Sequence, residues 1–196
     1  MKRGFDVIAS SFILLITLPV TIITCIAVWI FLGTPIIFSQ LRPGKNCKPF
    51  RLLKFRTMTK EKDEEGKLLS NEKRHTRFGK YLRSTSLDEL PGFINVLKGD
   101  MSIVGPRPLK TDYITLYKGD QIRRHEVKPG ITGWAQVNGR NAITFTERFK
   151  MDVWYINNKS FLLDMKILWL TFIKVIKREN ISPKESIEVV PFDGTN

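Results

Sequence analysis

With 196 residues and 32 lysines and arginines against 19 aspartates and glutamates, the chain carries a formal net charge of +13, which calls for a polyanionic partner: nucleic acid, an acidic membrane surface or phosphorylated substrates. Disorder throughout is excluded, because 42% hydrophobic and 11% aromatic residues give ample surface to bury. The two cysteines, Cys25 and Cys47, are too few for a disulfide framework and lack zinc-site spacing, which fits a reducing cytoplasmic side.

Residues 7–32 contain no charged side chain. The run is longer than the roughly 7–15 apolar residues of a cleaved signal peptide and meets the roughly 20 needed to cross a bilayer as one helix. Its flanks conflict with a straight span. Lys2 and Arg3 precede it, Arg42, Lys45, Lys48, Arg51 and Lys54 follow it, and the positive-inside tendency draws both sets to the cytoplasm. Pro19, near the middle, lacks the amide that would bond the carbonyl four residues back. A helix that enters, breaks at Pro19 and returns to the same face satisfies both flanks, with hydroxyls of Ser10, Ser11, Thr17, Thr21 or Thr24 available to the exposed carbonyls. The alternative is a spanning helix with a proline kink.

Beyond Gly33, residues 35–40 and 50–55 read as two short strands joined through Arg42-Pro43-Gly44-Lys45. Residues 59–74 are almost entirely charged and polar and read as a mobile surface insertion without chemistry. Helical patterns return at 78–83, 90–97, 113–117 and 145–156, between loops rich in Gly and Pro. No repeat and no strand–helix alternation fit for a doubly wound sheet appears, so the expected fold is α+β with short strands. In residues 164–178, Met165, Leu168, Trp169, Phe172, Val175 and Ile176 share one side, with Lys166, Lys174 and Lys177 largely opposite. Such a helix suits the plane of an anionic membrane surface, or packs its apolar side on a soluble core. The expected division is a membrane segment over 1–33, a globular domain over 34–178 and a tail over 179–196.

Chemistry-bearing residues concentrate in Arg83-Ser84-Thr85-Ser86-Leu87-Asp88-Glu89-Leu90-Pro91 and in the stretch leading to Gly105-Pro106-Arg107-Pro108. If Ser86 is an N-cap, Glu89 completes a capping box; if Asp88 is the N-cap, Pro91 falls in the first turn. Either way Asp88 stands at a helix N-terminus. Capping alone accounts for such a pair, yet that position also keeps a carboxylate ionised, as a nucleophile must be, beside amides able to hold phosphate. Arg107, mounted between two prolines, has little backbone freedom, which fits a phosphate clamp or a rigid exposed turn. In Lys128-Pro129-Gly130-Ile131-Thr132-Gly133-Trp134-Ala135-Gln136-Val137-Asn138-Gly139-Arg140, Asn138-Gly139 signals a hairpin turn. The glycines match no nucleotide-binding fingerprint but leave room for a ligand, with Arg140 as a second guanidinium. His75 and His125 belong to no hydrolase triad or zinc motif.

Together these segments, with Lys54-Phe55-Arg56-Thr57-Met58, Asn95-Val96-Leu97-Lys98-Gly99-Asp100-Met101-Ser102 and Leu163-Asp164, resemble the bacterial sugar transferases, specifically the small monotopic phosphoglycosyl transferases of the PglC type. The resemblance implies a re-entrant membrane helix, interfacial helices and a catalytic domain on the cytoplasmic face of the bacterial inner membrane. It implies transfer of a sugar-1-phosphate from a UDP-sugar to polyprenyl (undecaprenyl) phosphate with release of UMP, using Mg²⁺ as cofactor. By it, Asp88 is the nucleophile and Glu89 binds metal, and an N-acetylated amino or diamino deoxysugar is favoured. One position departs from the family pattern: Leu18, where Ser is frequent, precedes Pro19. Lys54, Arg56, Arg83, Arg107 and Arg140 are the candidate phosphate-binding cations. A basic membrane-associated scaffold would leave the arginine mounts unexplained, and a nucleic-acid-binding protein would leave the dyad unused, with no binding module recognisable. The expected partners are therefore a UDP-sugar, polyprenyl phosphate and anionic lipids, not nucleic acid.

Overall fold

The computed structural model describes residues 1–139, 143–177 and 191–194. It opens with two helices, α1 (Lys2–Ile16) and α2 (Leu18–Leu32), bent by 64° where they meet. Pro19 falls in the first turn of α2, where a missing amide breaks no intrahelical bond. Thr17 closes α1 through its amide, 2.9 Å from the Ile13 carbonyl, and its hydroxyl, 2.7 Å from the same oxygen. Of the hydroxyls expected to cover the break, Thr17 does so. Thr24 bonds the Val20 carbonyl within its own helix, and the Ser10 and Thr21 hydroxyls have no hydrogen-bond partner among the described residues. No single described helix is long and apolar enough to cross a membrane, whereas the bent pair together has the length and composition.

Both ends of this pair are tied to the globular body. The buried Asp6 carboxylate accepts the Ser102 hydroxyl at 2.9 Å and the Ile103 amide at 3.0 Å. Arg3 donates to the Val96 and Leu97 carbonyls, and Lys2 pairs with the buried Asp164. At the far end, Arg56 is buried and donates to the carbonyls of Leu32 and Thr34, closing α2. Val28 packs with Phe55, Leu82 and Leu90. Lys2 and Arg3, read in the sequence as a basic flank, are also anchors, bound to carbonyls at a helix C-terminus and to a buried carboxylate.

β1 (Ile37–Pro43) and β2 (Pro49–Phe55) pair antiparallel from Ile37↔Phe55 to Pro43↔Pro49. β1 and β2 extend further toward the turn than expected, leaving residues 44–48 as the connection, which carries two left-handed residues, Asn46 and Cys47. The polar excursion that follows is closed at its base by a Met58–His75 bridge and contains the short α3 (Asn71–Arg74). Next come α4 (Arg77–Ser84), α5 (Gly92–Lys98) and β3 (Ser102–Val104), the last parallel to β4 (Gly130–Thr132). Residues 113–117, expected as a helix, form part of an irregular 3₁₀ stretch. The hairpin expected at Asn138-Gly139 is absent, because Gly133 to Gly139 bound a helix, α6 (Trp134–Asn138).

α7 (Phe145–Asn158) starts with a capping box between Thr144 and Glu147, and α8 (Phe161–Lys177) follows at once. α8 turns Asp164 and Ile167 inward and bonds Thr171 to Thr132, while Trp169, Phe172, Val175 and Ile176 stay exposed. The apolar side recognised in the sequence is thus the face the fold leaves open. Phe192, in the segment expected as a tail, is buried against Tyr113, Phe145 and Phe149. The architecture is α+β, with the largest core cluster built from β2, α5, β3, α7 and α8 residues such as Leu52, Val96, Ile103, Tyr155 and Ile167.

The glycines near Arg107 serve packing between backbones rather than room for a ligand. A Cβ on Gly105 would stand 2.4 Å from the Lys128 carbonyl, and one on Gly133 2.2 Å from the Gly105 carbonyl. Gly105 donates to Thr132 and Gly130 to Pro106, at 2.9 and 3.0 Å, so the two segments cannot separate without losing hydrogen bonds. Gly105→Ala is expected to lower stability by about 2 kcal/mol or more, checked by chemical denaturation in detergent, whereas Gly4→Ala, with nothing within 4 Å of a Cβ, should not.

Candidate active site

Asp88 and Glu89 lie on a single 3₁₀ turn, Leu87–Glu89, ahead of α5. The expected capping box does not form. Ser86 is left-handed, at φ 57°, its side chain caps nothing, and Pro91 is the N-cap of α5. The Glu89 carboxylate turns instead toward cations, since charge-assisted hydrogen bonds outweigh a bond to one neutral amide. A serine in the left-handed region costs about 1 kcal/mol or more, so the turn beside the dyad is held under strain by its surroundings.

Two cations from different segments meet on one Glu89 oxygen. Lys54 Nζ, from β2, lies 2.6 Å from Oε1, and Arg107 Nη2 lies 2.9 Å from the same atom. Lys54 is also 3.9 Å from Asp88 Oδ2. These surroundings divide the dyad. Burial works to raise the Glu89 pKa, but the charges and hydrogen bonds of Arg107 and Lys54 prevail and hold it at about 2. For Asp88, burial prevails, with the charge of Glu89 adding to it and Lys54, Arg107 and Arg83 opposing, so its pKa is raised. The helix-start argument expected the helix N-terminus to keep Asp88 ionised; with no α-helix beginning there, desolvation decides and works the other way. A more basic carboxylate is a better nucleophile once ionised, and its neighbour stays anionic throughout.

Less conspicuous residues hold this geometry. Asn95, buried in α5, accepts the Leu53 amide at 3.0 Å and donates to the Arg51 carbonyl at 2.8 Å, fixing α5 to the strand that carries Lys54. Arg124, 2% exposed, pairs with Asp152 at 2.8 Å, donates to the Tyr117 hydroxyl at 3.0 Å and reaches the Arg107 carbonyl at 2.8 Å. It fixes the backbone from which Arg107 extends. Sequence reading passed over it, because Arg123-Arg124-His125 looks like any exposed basic run.

The remaining candidates separate. Arg83 donates to the Thr57 hydroxyl at 3.0 Å, lies 3.4 Å from His75, and acts on Asp88 through its charge. Arg56 is spent on the α2 carbonyls and does not join the dyad, a correction to its reading as a phosphate ligand. It lies just past the end of β2, where the chain runs beside the C-terminus of α2, a proximity composition cannot reveal. Arg140 lies outside the described residues. Lys54, Glu89 and Arg107 line an open cleft, together with Arg42, Leu52, Met101 and Ile131. Arg42, noted in the sequence only as flanking charge, is the additional cation.

Among the described residues no group of three or more His, Cys, Asp or Glu side chains forms a metal cage. Two adjacent carboxylates do fit Mg²⁺, which is commonly held by one or two carboxylates together with substrate phosphates and water. Only Oε1 of Glu89 is engaged by the cations, so the donor set suits a metal shared with a phosphorylated substrate.

A carboxylate dyad, Asp88 buried and Glu89 half-buried, under convergent cations forms a site suited to phosphate, on a body that also carries an exposed apolar helix pair. A family profile described as bacterial sugar transferase matches residues 1–178, and the chain belongs to that family. It is 52% identical over its full length, and over 96% of the relative, to an uncharacterized sugar transferase, EpsL, of Bacillus subtilis. It is 44% identical, over 88% of its length, to the UDP-glucose:undecaprenyl-phosphate glucose-1-phosphate transferase of Klebsiella pneumoniae. A third relative, 36% identical over 90% of the chain, is the UDP-N-acetylgalactosamine-undecaprenyl-phosphate N-acetylgalactosaminephosphotransferase of Aeromonas hydrophila. The chain spans 39% and 44% of the length of these last two.

The depressed Glu89 pKa predicts a defined acid response. A carboxylate whose folded pKa lies below its unfolded value stabilises the fold above the unfolded pKa, near 4.5, and loses that contribution as pH falls toward about 2. In metal-free buffer, Glu89→Gln should therefore melt below the parent protein at pH 6 and converge with it as pH drops, read by thermal unfolding.

Proposed function

We propose that the chain transfers a sugar-1-phosphate from a UDP-sugar to polyprenyl phosphate by two displacements at Asp88. The observation that carries this reading is the divided dyad: Asp88 raised by burial, Glu89 held anionic by Lys54 and Arg107. In the first step Asp88 attacks the sugar-bearing phosphorus and UMP departs; in the second the lipid phosphate attacks the same phosphorus and frees Asp88. Arg107, fixed through its carbonyl by Arg124, binds a phosphate oxygen and holds the reacting group in line. Lys54 steadies Glu89 and lies near enough to Asp88 to favour its ionised form. Asp88 and Glu89 would hold Mg²⁺ together with substrate phosphate, and the ion would supply charge neutralisation for the diphosphate.

The membrane reading belongs with this. Two arms of 15 residues, each about 22 Å long, bent by 64°, reach about 12 Å below the line joining their ends, well under the ~30 Å hydrocarbon core. With both ends anchored on the globular body, the pair dips into one leaflet and returns. The exposed Trp169, Phe172 and Ile176 face of α8, with its lysines, suits an anionic lipid surface. The proposed reaction calls for the catalytic body on the cytoplasmic face of the bacterial inner membrane, where a soluble UDP-sugar and a lipid phosphate can both reach it.

Incubation with UDP-sugar and Mg²⁺ but no lipid should release UMP and add one phosphosugar mass to the peptide containing Asp88. Asp88→Asn should abolish turnover, by about 10³-fold or more, with unchanged folding and membrane association. An adduct on another residue, or substantial turnover by Asp88→Asn, overturns the assignment. For topology, a cysteine at Gly4, in a background lacking Cys25 and Cys47, should resist impermeant labelling from outside intact cells. Labelling there, with the globular body protected, would mean a span.

A further inference from the structure

Among the described residues, one guanidinium in the cleft forms no ion pair with an acid. Arg42, on β1 opposite Phe50, lines the cleft with Lys54, Glu89 and Arg107. Its Nη2 donates to the neutral Gln40 side-chain oxygen at 2.7 Å, and its Nε is buried without a partner among the described residues. It forms no ion pair within 4.0 Å there. Burial lowers its pKa and the charge of Arg107 lowers it further, against the weaker pull of Tyr113 and Asp112. Unpaired charge removed from water is costly, and a second cation beside it adds to the cost, unless an anion joins the two.

The two-displacement reading, on which this inference rests, presents such an anion twice. In the first step an Asp88 oxygen bonds to the sugar-bearing phosphorus, the bond from that phosphorus to the bridging oxygen breaks, and UMP leaves with the electron pair. In the second, an oxygen of polyprenyl phosphate bonds to the same phosphorus and the Asp88 oxygen leaves as carboxylate. UMP and polyprenyl phosphate are both phosphate monoesters. In-line displacement requires the leaving group and then the attacking group to stand opposite Asp88, hence in the same place. We propose that Arg42 and Arg107 form one phosphate-monoester subsite, occupied in turn by the UMP portion of the donor and the head group of the lipid acceptor. Gln40 orients Arg42 without neutralising it, so the site retains its charge for each occupant.

The test uses the full chain in detergent or nanodiscs, with UMP and uridine titrated calorimetrically and the KM for a short-chain polyprenyl phosphate measured. Arg42→Met should weaken UMP binding about tenfold or more and raise the lipid KM by a similar factor, the scale of lost charge-assisted hydrogen bonds. Any uridine affinity should be unchanged. The melting temperature should hold or rise, because a half-buried charge without an ion-pair partner among the described residues is gone, whereas loss of an arginine with a purely structural role would lower it. A lower melting temperature with UMP affinity and lipid KM unchanged overturns the proposal, and a loss confined to one ligand overturns the shared subsite. Should Arg42→Met fail to fold, Arg42→Gln decides by the same readings. Failure of the unsubstituted protein to bind UMP or transfer sugar phosphate would overturn the transferase reading itself, a result distinct from any variant effect.

Discussion

Glu89 Oε1 receives Lys54 from β2 and Arg107 from the loop after β3, so three separate segments meet at a single carboxylate oxygen. Most of the site's character follows from that convergence. The cations keep Glu89 anionic under burial that would otherwise protonate it, and the fixed negative charge adds to the desolvation that makes Asp88 more basic. Lys54 and Arg107 are in turn held at phosphate-binding distance from the dyad instead of sweeping through solvent. Strain at Ser86 is tolerated because this pairing draws the turn to the cations.

The same use of charge as mortar joins the apolar helix pair to the body. Asp6 is seated on β3, Arg3 on the end of α5, Lys2 on Asp164, and Arg56 on the end of α2. α5 therefore links the dyad turn at its start to α1 near its end. In the proposed reaction this linkage sets the height of Asp88 above the lipid, where the acceptor phosphate has to be met. In the same proposal, lipid contact falls to the exposed apolar faces of α1, α2 and α8.

Arg107 owes its position to backbone packing as much as to its prolines. Gly105, Gly130 and Gly133 let two segments approach more closely than any side chain would allow, and Arg124, itself neutralised by Asp152, grips the Arg107 carbonyl. A guanidinium mounted this way loses little freedom on binding phosphate, which is how rigid placement becomes rate.

The apolar run and its proline, the two strands, α4, α5 and α7, the dyad and the Pro-Arg-Pro mount were all legible along the chain, because periodicity, turn chemistry and proline geometry are local. Family membership was legible for the same reason, through short ordered motifs. What each charge does was not. Arg56 and Arg107 look alike in composition, yet one closes a helix and the other reaches the dyad; Lys2 and Arg3 look solvated and are docked; Arg124 looks exposed and is buried. The open face of α8 has the same periodicity as a packed one. The Glu89 contacts join residues 35 and 18 positions apart, and the reversed acidity of the dyad arises only when folding removes water and brings those cations in. Sequence by itself determined which groups are present and which segments are regular. Tertiary structure alone decided their partners, because desolvation and charge pairing depend on distances that the chain order does not contain.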